Sequence, residues 1–152
     1  MTGVQTCALP ILPTDGSKLS QKAIDQALAI VQETGAKLTI MTVIPPYPPM
    51  YAGDGYVMEP MSTDAWDKAT RKNAEKTLAA ATKRATAKGI NAKFLAIRDD
   101  PPYAGIIATA KKQKCDLILM ASHGRRGLSG LLLGSETTKV LTHTKIPVLV
   151  YR

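Results

Sequence analysis

The run Met120-Ala121-Ser122-His123-Gly124-Arg125-Arg126-Gly127-Leu128-Ser129-Gly130-Leu131-Leu132-Leu133-Gly134-Ser135 holds most of the residues in this chain that could do chemistry. Small residues directly after an apolar strand let backbone approach a pyrophosphate. A Gly-Ser pair at the start of a helix offers unpaired amides and a partial positive charge to an anion. The chemistry favoured is phosphate binding. No Gly-Lys-Ser or Gly-Lys-Thr follows, so this is not a Walker A loop, and no GxGxxG opens a helix straight after a strand. A second cluster, Thr14-Asp15-Gly16-Ser17, places one carboxylate in a turn, where Asp is also ordinary turn chemistry. No Ser-His-Asp set, metal cluster of His and Cys, or carboxylate pair can be placed on adjoining strand ends, so the sequence names no catalytic residue and no metal ligand.

Such residues meet only if the elements around them deliver them to one end of a sheet. From Ile11 onward, strand-sized and helix-sized segments alternate with short connections. After the Thr14 to Ser17 turn, Leu19, Ala23, Ile24, Ala27, Leu28 and Val31 recur at helical spacing, closed by Gly35. Leu38 to Val43 reads as a strand buried on both faces, ending at Pro45. Pro45 to Ser62 has no period and reads as a loop, in which tyrosines 47, 51 and 56 and methionines 50, 58 and 61 form either a flap or partner surface or a plain disordered loop. A second helix is predicted from about Thr63 to Lys88, with Trp66, Ala69, Asn73, Leu78, Ala81 and Ala85 on one face and Gly89 as its stop. Asn91 to Ile97 is a third strand. Asp100 is expected to cap a third helix that turns Tyr103, Ile106, Ile107 and Ala110 inward, with Pro101 and Pro102 in its first turn. Cys115 to Ala121 is a fourth strand, Ser135 to about Thr144 a fourth helix and Ile146 to Tyr151 a last strand. The expected fold is α/β, a five-stranded parallel sheet with helices on both faces, Rossmann-like, in which ligands sit beyond the carboxyl ends of the strands.

Composition bounds the function. The 152 residues suit one domain, and 45% hydrophobic against 21% charged residues is enough apolar material for a core. No apolar run is long enough to span a bilayer. Cys7 and Cys115 make no CxxC pair and no disulfide framework, which suits a reducing compartment and points to the cytoplasm. Twenty basic against twelve acidic residues give a net charge of +8, yet the lysines read as solvated helix faces. With one Phe, one Trp and no nucleic-acid-binding signature, nucleic acid is not the expected partner. Thr2 to Ile11, TGVQTCALPI, resembles the translation of a common sequencing-library adapter, so residues 1–11 are expected to be a non-native start that carries no function, Cys7 included.

The LPTDGS turn, the DLILMASHGRRGLSGLLLGSET block and the IPVLVYR ending together make the chain from Ile11 to Arg152 resemble the universal stress proteins of the UspA type, within the adenine nucleotide alpha hydrolase-like superfamily. In their ATP-binding branch the loop reads G-x2-G-x9-G followed by Ser or Thr. Gly124, Gly134 and Ser135 match it, with Ala121 in place of the first glycine; one added methyl weakens close approach but permits it unless positive φ is needed. The resemblance implies a single universal stress protein domain over 1–152 that binds ATP, with Mg2+, as a stress-response signalling module. Pro13, Thr14 and Asp15 would line the nucleotide site, with Val43 and Met120 near the adenine. Gly124, Gly134 and Ser135 would hold the triphosphate, with Glu136 beside them; His123 would contact ribose or phosphate, and Arg125 and Arg126 would offset phosphate charge. It also implies a homodimer through Ile146 to Tyr151, with Val148 and Val150 of two subunits side by side. Plainer roles stand beside these: Ser135 as a helix N-cap, His143 against a helix dipole, Cys115 as a core hydrophobe. Two other functions stay open, a UspA-type dimer that binds no nucleotide and acts as an interaction or chaperone-like module, and a weak ATP hydrolase.

Overall fold

The chain folds around one parallel sheet in the order β3-β2-β1-β4-β5. Its strands are β1 (Pro10–Pro13), β2 (Thr39–Ile44), β3 (Lys93–Arg98), β4 (Leu117–Ala121) and β5 (Val148–Tyr151). Four helices connect them: α1 (Lys18–Thr34), α2 (Thr63–Ala87), α3 (Pro102–Lys112) and α4 (Ser135–His143). The structure, a computed structural model, describes residues 9–48, 61–125, 127 and 133–152. Most of the expected non-native start, most of the Pro45 to Ser62 loop, Arg126 and residues 128–132 lie outside the described residues. The chain runs outward from β1 to β3 on one side, then returns to lay β4 and β5 on the other. The direction of winding therefore reverses between β1 and β4, where a crevice opens in sheets of this kind.

Alternation along the central strands splits the core in two. Leu12, Ile40 and Leu119 face α1 and α2 and pack with Ala23, Ile24, Ala27, Leu28, Ala81 and Ala85. Ile11, Met41, Ile118 and Met120 face the other way, against Ile106, Ala110 and Val140 of α3 and α4. Leu28 is fully buried, and truncating such a side chain to Ala costs about 2–5 kcal/mol. Cys115 sits in the second cluster as a buried apolar side chain, and burial pushes its thiol pKa up. Among the described residues no helix is long and apolar enough to cross a membrane.

Pro10 is the first, buried residue of the central strand, a position where a missing N–H is tolerated. The ladder resumes past Pro13, where the Thr14 N–H donates to the Met41 carbonyl at 2.8 Å. On α2 the buried stripe is Ala74, Thr77, Ala81 and Ala85, while Ala69 and Asn73 are exposed. The two apolar series on this Ala-rich helix differ by a fraction of a turn, and the small-residue series faces the core. Asp100 does not cap α3. Pro101 takes the cap position without a side-chain bond, and the Tyr103 N–H donates instead to Glu136 Oε2 at 2.9 Å, an acceptor supplied from α4.

Candidate nucleotide-binding cleft

The turn after β1 is built from its own side chains. Thr14 is buried, and its Oγ1 lies 3.0 Å from Ser20 Oγ and accepts the Gly16 N–H. Asp15 Oδ1 accepts the Ser17 N–H at 2.9 Å, and Ser17 in turn caps α1 by accepting the Ser20 N–H at 3.2 Å. The other Asp15 oxygen reaches across the cleft and accepts the Arg125 N–H at 2.8 Å. Burial pushes the Asp15 carboxyl up, but hydrogen bonds from Ser17, the Arg125 amide and Ser20 together outweigh it, so its pKa lies below the ordinary value. Asp15 is thus an ionised tie between the β1–α1 turn and the segment after β4.

That segment depends on missing side chains. The Gly134 N–H donates to the Ser122 carbonyl at 2.6 Å, and a Cβ on Gly134 would lie 3.0 Å from His123 Cα and 3.2 Å from the Ser122 oxygen. Any side chain here must push two backbone segments apart. A Cβ on Gly124 would strike the Asp15 carboxylate, and one on Gly127 would strike the His123 ring, whose Nδ1 is 3.2 Å from Ser122 Oγ. Ala121 ends β4 with ordinary backbone geometry rather than positive φ, so its methyl is compatible with the strand. Gly134, not Ser135, is the N-cap of α4; Ser135 is the first helical residue. The amides of Ser135, Glu136 and Thr137 therefore have no acceptor within the helix and face its open end. Thr137 Oγ1 anchors this end by donating to the Ala121 carbonyl at 2.9 Å.

Between the two segments lies a cavity of about 710 Å3, within the roughly 300–1,000 Å3 usual for small-molecule sites. Twelve of the residues expected from the sequence line it, Pro13, Thr14, Asp15, Val43, Met120, Ala121, His123, Gly124, Arg125, Gly134, Ser135 and Glu136, while Arg126 lies outside the described residues. Ser20, Thr42, Asn73, Pro102, Ile106, Gly127 and Thr137 also line it, and sequence reasoning had not singled them out. Gly127 was visible as a further glycine in the Gly-Arg-Arg-Gly run. Pro102 and Ile106 arrive by the packing of α3, which no local pattern announces. The cavity has two characters: Val43, Pro102, Ile106 and Met120 offer apolar surface for a flat ring, whereas the α4 amides of Ser135 to Thr137 offer donors for an anion. Among the described residues no three His, Cys, Asp or Glu side chains gather to hold a metal ion. His143 lies away from the cavity, its ring 4.8 Å from Tyr103 and its Nδ1 2.8 Å from the Lys139 carbonyl, at the C-terminal end of α4 where positive charge is favoured.

The profile of the universal stress protein family matches residues 11–152. The chain belongs to the universal stress protein family. It is 31% identical over 145 residues to universal stress protein YxiE of Bacillus subtilis, a match that covers 93% of this chain and 97% of that one. Universal stress protein UspA from Lactobacillus plantarum superimposes with a TM-score of 0.76 at 25% identity, covering 95% of this chain and 97% of that one. A universal stress protein crystallised in complex with cAMP gives a TM-score of 0.67 at 28% identity, covering 97% and 99%. The α/β sheet with helices on both faces is thus the universal stress protein fold.

Proposed function

We propose that this universal stress protein binds ATP in the cleft between β1 and β4 and acts as a cytoplasmic, nucleotide-dependent stress-response module without strong turnover. The observation that carries this reading is the convergence of the Asp15 turn, the apolar surface of Val43 and Met120, and the glycine-lined start of α4 on one cavity. A nucleotide needs those three surfaces together. Support also comes from the structure of a family member in complex with cAMP, an adenine nucleotide.

The residues present fit the ligand. Gly124 and Gly134 let the Asp15 carboxylate and the Ser122–His123 backbone close up to form the wall, and the free amides of Ser135 to Thr137 suit phosphate oxygens. Val43 and Met120 suit the adenine, and His123 and Arg125 stand at the rim. Glu136 is committed to Tyr103 and Lys139. Mg2+ would therefore be held through the phosphates, with Asp15 the carboxylate placed among the loop amides. Bound there, the ion would offset phosphate charge. The protein's own part is to orient the ring, donate amides and hold Asp15 ionised.

The proposal extends to a homodimer through β5. This strand lies at one edge of the sheet, and its Leu149 side chain is 43% exposed. An uncovered apolar edge strand is a template for pairing with a second copy about a twofold axis. Leu149→Asp is expected to turn a dimer into a monomer in sedimentation velocity; a monomeric wild type defeats this part. For the nucleotide, purified protein is heat-denatured and the supernatant analysed for adenine nucleotide. Released ATP supports the reading. An empty protein that also fails to take up added ATP favours the non-nucleotide dimer, and steady ADP formation above background marks a weak hydrolase.

A further inference from the structure

Beyond the cleft, on the far side of the rim formed by His123, Gly124, Arg125 and Gly127, lies a second, open groove of about 450 Å3 against the start of α1. Its remaining lining is Ser17, Lys18, Leu19 and Lys22. The two cavities share the rim but differ in charge. The cleft contains Asp15 and Glu136, whereas the groove is lined by Lys18, Lys22 and Arg125 and, among the described residues, by no carboxylate. Among the described residues, none of these three cations takes part in an ion pair. The nearest acid along α1, Asp25, is committed to Arg84 at 2.6 Å.

The placement of the lysines runs against the helix that carries them. Lys18 is the first residue of α1 and Lys22 lies one turn on, with no acidic residue in that first turn. Two like charges at i and i+4 repel, and the positive end of the helix dipole disfavours both. Arg125 adds a third positive charge: its Nη2 lies so close over the β1–α1 turn that a Cβ on Gly16 would sit 3.0 Å from it. The Ser17 and Ser20 amides are already taken, by Asp15 and by Ser17 Oγ. An anion in the groove would be held by side-chain cations together with the Lys18 and Leu19 amides, which have no acceptor within the helix. Local violations of helix electrostatics of this sort are expected where function requires them.

We infer that this groove is an oligophosphate subsite, and that the cleft and groove together take a nucleotide whose phosphate chain is longer than a triphosphate. The adenosine end rests on the reading of the cleft given above; the phosphate end does not. Inorganic tripolyphosphate is therefore the primary probe, titrated by calorimetry at low salt into wild type and into the K18A/K22A double variant. Wild type is expected to bind it, the double variant at least about tenfold more weakly and K18R/K22R nearly as wild type, with added salt weakening the interaction. Adenosine pentaphosphate is expected to bind wild type more tightly than ATP does, and the double variant is expected to lose that advantage while keeping ATP affinity. Because the lysines oppose the helix dipole, the melting temperature of the double variant should equal or exceed that of wild type, which separates lost binding from lost folding. Failure of wild type to bind tripolyphosphate, or equal binding by K18A/K22A, would overturn the subsite whatever ATP does. Tripolyphosphate binding without ATP binding would leave the subsite standing and overturn the cleft reading.

Discussion

The turn after β1 and the segment after β4 face each other across the cleft and are held by different forces. Thr14, Asp15, Ser17 and Ser20 satisfy one another within seven residues of chain, so the β1–α1 turn is fixed by local hydrogen bonds. In the β4–α4 segment the described residues are joined across the loop instead, by the Gly134 N–H to the Ser122 carbonyl and by Thr137 Oγ1 to the Ala121 carbonyl. The segment is also fixed by close backbone approach at Gly134 and by one carboxylate donated from the opposite side, Asp15 to the Arg125 amide. One side of the cleft is made by polar groups that are present, the other by side chains that are absent. The difference explains how a site can remain open to a ligand on one wall while the other wall stays preorganised, which favours binding because less ordering remains to be done.

The largest effect is expected where absence is filled. Gly134→Val should weaken ATP binding at least a hundredfold, about 2.7 kcal/mol, because its branched side chain wedges His123 away from α4. Calorimetry reads the affinity, and circular dichroism confirms that the sheet remains. Gly124→Val should act similarly by displacing the Asp15 carboxylate. If either variant binds as wild type does, the segment after β4 is not the phosphate wall.

Cutting the tie between the walls is expected to do less. Asp15→Ala should lower affinity about tenfold, or 1.4 kcal/mol. It should also change the acid limb of stability. The folded pKa of Asp15 lies below its ordinary 3.8, so its contribution is present in full above that value and lost as pH falls through the folded pKa. Urea unfolding from pH 6 down to pH 2 should show Asp15→Asn losing less stability below pH 4 than wild type does. Parallel curves would mean that the carboxylate ties nothing.

Disturbing the self-sufficient wall should separate stability from binding. Ser17→Ala removes the α1 cap and should cost about 1 kcal/mol in denaturant unfolding while leaving ATP affinity within about twofold. The smallest change is expected from Ala121→Gly. Because Ala121 has ordinary strand geometry, restoring the family's glycine should alter affinity by less than about threefold, and a gain of tenfold or more would mean that the methyl obstructs the ligand.

The same contrast explains what could be read in the sequence. The β1–α1 turn was legible because its contacts are local: Thr-Asp-Gly-Ser before a helical period marks a turn, and the structure adds Ser17 as the cap of α1. The order of strands and helices was legible from period, and the glycine spacing marked the segment after β4. What periodicity could not reveal came from contacts distant in sequence. Glu136 capping α3 in place of Asp100, Ile106 entering the cleft, and the buried stripe of α2 shifting to Ala74 and Thr77 are all settled by packing between elements.

The central claim, that the two walls of this universal stress protein close on an adenine nucleotide, is tested most directly by titrating ATP with Mg2+ into nucleotide-stripped wild-type protein by calorimetry, beside Gly134→Val. One ATP per chain at micromolar affinity, lost in the variant, is the predicted result. No heat of binding in wild type, or equal binding by both proteins, would contradict it.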